Sequence, residues 1–173
     1  MENIYLFILI ALVLLAFGDL IVGVSNDAVN FLNSAIGSKV LSFKTLMIIA
    51  SLGVFVGCVY SSGMMEVARK GIFNPGEFLF NEIMIIFMAV MITDILILDL
   101  FNSWGLPTST TVSIVFELLG ASVAMALIKI GVDNGSFTDL ATYINTSKAT
   151  QIILGILLSV FVAFSIGAIV QWV

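Results

Sequence analysis

The sequence predicts an all-α, polytopic membrane protein with about five transmembrane helices plus broken or re-entrant segments. Three observations carry this prediction. Of the 173 residues, 61% are apolar and only 10% are charged, whereas soluble chains run near 45–50% and ~25%. The mean hydropathy is +1.22, more apolar surface than a soluble core of such length can enclose. The apolar residues also fall in stretches long enough to cross a bilayer, which takes about 20 residues at ~1.5 Å of rise each.

Those stretches are residues 4–22, 43–63, 78–101, 112–130 and 151–173. The first does not read as a signal peptide, because no basic region precedes it and more apolar chain follows. Residues 25–40 carry Asn26, Asp27, Asn30, Asn33 and Ser34, too many polar groups for lipid, and read as helix facing protein or water. Discontinuities are expected at residues 23–30 and 102–111. Asn74-Pro75-Gly76 forms a turn, and residues 131–150, rich in Asp, Asn, Gly, Ser and Thr, form an aqueous loop. If all five stretches cross, Arg69, Lys70, Lys129 and Lys148 share a side with the N-terminus, opposite Lys39 and Lys44. Four against two sets no orientation.

The chain holds one cysteine, Cys58, and no histidine, so an internal disulfide, imidazole catalysis and a zinc centre of the usual ligands are excluded. The six basic residues form no run that could follow a nucleic-acid backbone. No enzyme activity and no cofactor beyond a coupling ion are expected. No repeat of 20–50 residues is visible. Gly155, Ser159, Ala163 and Gly167, and the pair Gly53 and Gly57, recur every fourth residue, a pattern that lets helices approach closely.

Five acidic residues fall within the apolar stretches: Asp19, Asp27, Asp94, Asp99 and Glu117. A carboxylate at mid-membrane costs roughly 2.5–3.5 kcal/mol on insertion scales. Asp19 and Asp99 lie near span ends and can reach the interface, whereas Asp27, Asp94 and Glu117 are expected to line a polar interior. Asp94 and Asp99, five residues apart on one helix, point ~140° from each other and make a poor catalytic dyad.

Two constellations carry the chemistry. In the first, a helix starting at Asn26 puts 26, 30 and 33 on one face and 27, 30 and 34 on an overlapping one. Carboxylate, amide and hydroxyl oxygens of this kind suit a hard cation such as Na⁺; Ser, Asn and Asp would equally cap a helix. The second is Gly105-Leu106-Pro107-Thr108-Ser109-Thr110-Thr111. Proline in a first helical turn followed by hydroxyl residues makes a donor-rich helix N-terminus, able to hold an anion without Lys or Arg. An ordinary capped turn at the membrane surface would use the same residues.

Together, Asn26-Asp27-Ala28-Val29-Asn30 and Gly105-Leu106-Pro107-Thr108-Ser109-Thr110-Thr111 resemble the paired signatures of the inorganic phosphate transporter (PiT) family, whose members are sodium- or proton-coupled. The resemblance covers about residues 18–130. Val24 and Ser25 stand where that family usually has Gly and Ala, Val29 where it has Ala, and Val112 where a His often follows. It implies a fold of two inverted repeats with the substrate between broken helices. Residues 1–173 then form a single transmembrane domain, one such repeat, and the chain is expected to be a fragment of a longer transporter or a half-transporter pairing with a second copy.

The implied function is uptake of inorganic phosphate by Na⁺ or H⁺ symport across the plasma (inner) membrane. Phosphate would be held by Ser109, Thr110, Thr111 and Asn26. The cation would meet Asp27, Asn30, Asp94 and Glu117, with Asp27 and Asn30 as the Na⁺ ligands. Sulfate or another tetrahedral anion, and a cation channel lined by the intramembrane carboxylates, are the alternative readings.

Overall fold

The computed structural model describes residues 2–66, 71–106, 108–133 and 135–172. Arg69, Lys70 and Pro107 lie outside them. In chain order the helices are α1 (Glu2–Ser38), α2 (Phe43–Val59), α3 (Ser62–Glu66), α4 (Phe80–Trp104), α5 (Thr110–Val132), α6 (Leu140–Tyr143) and α7 (Thr146–Trp172). The fold is that of an all-α, multi-pass membrane protein. Of the five expected spans, α1, α4, α5 and α7 are long and apolar enough to cross, while α2 is a shorter apolar helix that ends at Val59 rather than 63.

The expected discontinuity at residues 23–30 does not occur: α1 runs unbroken for 37 residues. Ser25 bonds back to the Ile21 carbonyl within the helix at 2.8 Å. The side chains of Asn26, Asp27 and Asn30 find partners on the facing α4–α5 segment, so none of them competes for α1's backbone. A helix of this length spans ~55 Å, well beyond a hydrocarbon core of ~30 Å. The second expected discontinuity is present. α4 closes on Gly105 at φ +66°, with Gly105 N–H donating to the Asn102 carbonyl (3.1 Å) and Leu106 N–H to that of Phe101 (3.0 Å). This is a Schellman close, whose left-handed residue is best served by glycine. Ser109, extended at φ −109° and ψ 112°, caps α5 by accepting the Val112 N–H at 3.4 Å.

α1 packs chiefly on α4, and α4 on α5. At Gly18 an added Cβ would stand 3.2 Å from Ile95 Cδ1, so the missing side chain lets these helices close. The apolar core lies between α4 and α5 and the segments that cover one of their ends: Ile72, Phe73, Phe78, Ile86, Val90, Leu118, Ala126 and Ile144 are buried. Residues 131–150 are therefore not simply an aqueous loop. They include a 3₁₀ turn, α6 and the start of α7, and they fold back so that Asn74 N–H reaches the Tyr143 carbonyl (2.8 Å) and Asn145 N–H that of Ile72 (3.0 Å).

Outside this core the molecule is apolar and uncovered. Leu157, Phe161, Phe164 and Val170 of α7, and Leu52, Phe55 and Val59 of α2, are exposed, as suits surfaces that meet lipid or another helix. The small-residue faces at Gly53 and Gly57 and at Gly155 and Gly167 meet no side chain of the described residues.

The covered end is pinned by Lys129. Its ammonium donates to the Glu77 carbonyl (2.7 Å) and Glu82 Oε2 (3.0 Å) and lies over the Phe78 and Tyr143 rings at 5.7 and 5.8 Å. The same Glu82 oxygen accepts the Leu79 N–H at 2.7 Å, so one carboxylate both starts α4 and ties it to α5. Lys129→Met should lower stability by about 1–3 kcal/mol, between the values for exposed and buried pairs. Thermal unfolding in detergent measures this, with Lys148→Met as a control that should leave the midpoint unchanged; equal midpoints for both variants would mean the ammonium pins nothing.

Candidate functional site

The polar stripe of α1 lies against the α4–α5 break. Asn26, 2% exposed, donates from Nδ2 to Asn102 Oδ1 at 2.9 Å. Asn30 uses both Nδ2 protons, one toward Asn26 Oδ1 (3.1 Å) and one toward the Thr108 carbonyl (2.7 Å). Thr110 Oγ1 donates to the Asp27 carboxylate, at 3.2 Å from Oδ1 and 3.4 Å from Oδ2. The helical spacing that puts 26, 27 and 30 on neighbouring lines of one helix makes this possible, since a break of a few residues can be met by one turn of α1.

An open cleft of about 690 Å³ adjoins these contacts. Its lining includes Asn26, Asn30, Asn33 and Ser34 from α1, and Asn102 and Gly105 from the break. No Lys or Arg lines it among the described residues. Its lining donors are the neutral amides of Asn26, Asn30, Asn33 and Asn102 and the hydroxyls of Ser25 and Ser34; Ser109, Thr110 and Thr111 do not line it but stand at the first turn of α5, whose leading N–H groups are free. By helix geometry, those of Thr110 and Thr111 have no carbonyl one turn earlier to bond. The Ser109 hydroxyl oxygen accepts within its own cap, which leaves its proton free to donate. Thr111 is exposed on the first turn of α5. The hydroxyl row follows Thr108, whose carbonyl accepts from the cleft-lining Asn30, with Ser109 serving as cap and Thr110 turned toward Asp27.

Asp27 receives one hydroxyl, from Thr110, among the described residues, and no described residue donates to Asn30 Oδ1. A carboxylate has about four acceptor positions, so these oxygens keep capacity for a cation. No group of three or more acidic or cysteine side chains that could hold a metal ion is found among the described residues. A cation here would be held by one carboxylate with amide and backbone oxygens.

Asp94 and Glu117 are brought together, in a second place. Asp94, 2% exposed, faces both Asp19 of α1 and Glu117 of α5. Ser113 donates to Glu117 Oε1 at 2.7 Å. Asp27 is not among the groups acting on these three, and eight residues of α1 separate it from Asp19, ~12 Å of helical rise. Asp19 does not go to the interface, as its place near a span end suggests; Asp99 is exposed, so Asp94 and Asp99 form no dyad.

Sequence reasoning also missed Asn102 and the Thr108 carbonyl as partners of the stripe. A signal for Asp19 was available, since it precedes Asn26 by two helical turns and so lies on the same line of α1. Asn102 gave only its position at the edge of the break. Asn26→Ala would strand the Asn102 amide and remove an acceptor from Asn30, which should cost about 1–3 kcal/mol for groups left unsatisfied in a buried place. Unfolding midpoints in detergent test this against Ser34→Ala, which should be silent; an unshifted Asn26→Ala midpoint would show that the amides do not hold α1 to the break.

The chain is 28% identical over 137 residues to a protein of Thermococcus kodakarensis assigned as a phosphate permease, covering 78% of this chain and 30% of that relative. Proteins of the same assignment match from Pyrococcus abyssi (29% identity; 61% of this chain, 27% of the relative) and Pyrococcus furiosus (30%; 57% and 24%). The chain spans less than a third of the length of these relatives. No solved structure shows significant similarity to it. The family model for phosphate transporters matches residues 23–173, a stretch that holds the stripe, the break and every helix after α1, and the chain belongs to the phosphate transporter family.

Proposed function

We propose that this chain forms one wall of the translocation path of an inorganic phosphate transporter driven by cation symport. The observation that carries the reading is the hydrogen-bonded meeting of α1's polar stripe with the broken α4–α5 segment beside an open cleft. Phosphate is held by the N–H groups and hydroxyls of Ser109, Thr110 and Thr111 with Asn26, and the cation by Asp27 and Asn30. The coupling logic is electrostatic. An anion seated at the start of α5 stands close to the Asp27 carboxylate, and two like charges ~4 Å apart repel by about 4 kcal/mol at an effective dielectric of 20. Na⁺ or H⁺ at Asp27 removes that repulsion, so substrate and cation bind best together.

The other wall comes from a second, inverted repeat or a second copy of the chain. The cleft's open side, with Asn33 and Ser34 exposed, and the uncovered small-residue faces of α2 and α7 support this arrangement. Alternating access then follows from one repeat moving against the other.

Asp27→Asn keeps the shape and removes the charge. It should abolish cation-dependent phosphate uptake in liposomes while the protein stays inserted and folded; wild-type uptake with unchanged cation dependence would refute the role. Ser109→Ala should weaken phosphate binding about 10- to 150-fold, the worth of one hydrogen bond to a charged ligand. Titration calorimetry on the reconstituted transporter reads this directly, with sulfate as competitor to define the anion. Equal affinities would reduce Ser109 to a helix cap.

A further inference from the structure

The carboxyl groups of Asp19, Asp94 and Glu117 come from three different helices and meet inside the membrane-spanning part of the bundle. Asp94 is 2% exposed, and Asp94 Oδ1, Asp19 Oδ1 and Glu117 Oε2 are all buried without a hydrogen-bond partner among the described residues. Ser113, on α5, supplies the cluster with a hydroxyl donor. No cation compensates it among the described residues: α1 and α4 contain no Lys or Arg, and the one base of α5, Lys129, sits in its last turn paired with Glu82. Three negative charges cannot stand together, unpartnered, in a medium without water. They must hold something positive.

We propose that Asp19, Asp94 and Glu117 form an intramembrane proton site, distinct from the substrate cleft and from the cation position at Asp27, that carries a second cation, a proton, through the transport cycle. This rests on the transport reading above and adds to it a proton position beside the cation held at Asp27. A proton suits the cluster because carboxyls that face one another can share one between their oxygens. Asp94 is the middle member and faces the other two. Transfer along this chain breaks one O–H bond and forms one on the facing carboxylate, with no other reactant and no change in net charge. The site communicates with the cleft through α5. Ser113 bonds Glu117 with its hydroxyl, and its N–H donates to the carbonyl of the Ser109 cap at 3.0 Å, at the same turn from which Thr110 reaches Asp27. Among the described residues, the titratable and polar groups facing the cluster are these three acids and Ser113; Asp27 is engaged with Thr110, and Asp99 is exposed.

The test uses the full-length protein reconstituted in liposomes. Infrared difference spectra between acidic and alkaline buffer should show the carbonyl stretch of a buried protonated carboxyl, and Asp94→Asn should remove most of it. Phosphate-driven proton uptake, read with a trapped pH dye, should fall at least about tenfold in the same variant, while phosphate affinity by calorimetry changes by no more than about twofold. Glu117→Gln serves as the second variant if Asp94→Asn fails to insert, and the wild-type spectrum stands without either. No protonated-carboxyl band in the wild type, a band displaced by Na⁺ rather than by pH, or proton uptake preserved in both variants would each overturn the proposal. Loss of phosphate binding by the wild type itself would instead strike the cleft reading, and the infrared result would still decide this one.

Discussion

Inside a bilayer no water is available to satisfy a polar group, so every amide, carbonyl and carboxyl must find a partner within the protein. The interruption between α4 and α5 frees backbone groups at both helix ends, and the stripe on α1 carries side chains that lipid cannot accept. Each is the other's remedy. Asn26 meets Asn102, Asn30 meets the Thr108 carbonyl, and Thr110 meets Asp27. A break without that stripe would expose orphaned groups, and a stripe without that break would have nowhere to turn.

This reciprocity explains why α1 stays a single helix through its most polar residues. The side chains that could have unwound it are held by the facing segment, and the intact helix keeps them at fixed spacing. It also aligns two polar centres along one line of α1, the carboxyl cluster at Asp19 and the amides at Asn26 and Asn30. Both centres span the same three helices, so a shift of α1 against α4 and α5 alters both together.

The rest of the bundle is built unevenly around this. One end is closed by the apolar core under residues 71–78 and 137–146 and pinned by Lys129. Towards the break, packing gives way to a cleft bounded by polar side chains. A packed end and an open end within one unit are what the proposed arrangement of two facing walls calls for. The apolar faces of α2 and α7, uncovered within the chain, suit lipid or a neighbouring helix.

The sequence by itself determined the membrane class, the approximate spans, the interruption after Gly105 and the two constellations that resemble the family. These are local or compositional properties: hydropathy over a window, polar residues at helical spacing, a proline and a run of hydroxyls at a helix start. Residues 131–150 were misread because composition marks them as polar, while folding back on the core depends on Ile144 and Tyr143 meeting Ile72 and Phe73 from far along the chain. The continuity of α1 was likewise decided by contacts to residues about 80 positions away, which no local rule registers. Tertiary structure alone grouped Asp94 and Glu117 with Asp19 rather than with Asp27, because carboxyls on three helices become neighbours only when those helices pack, and helix packing is set by shape across the whole interface, such as the space left at Gly18.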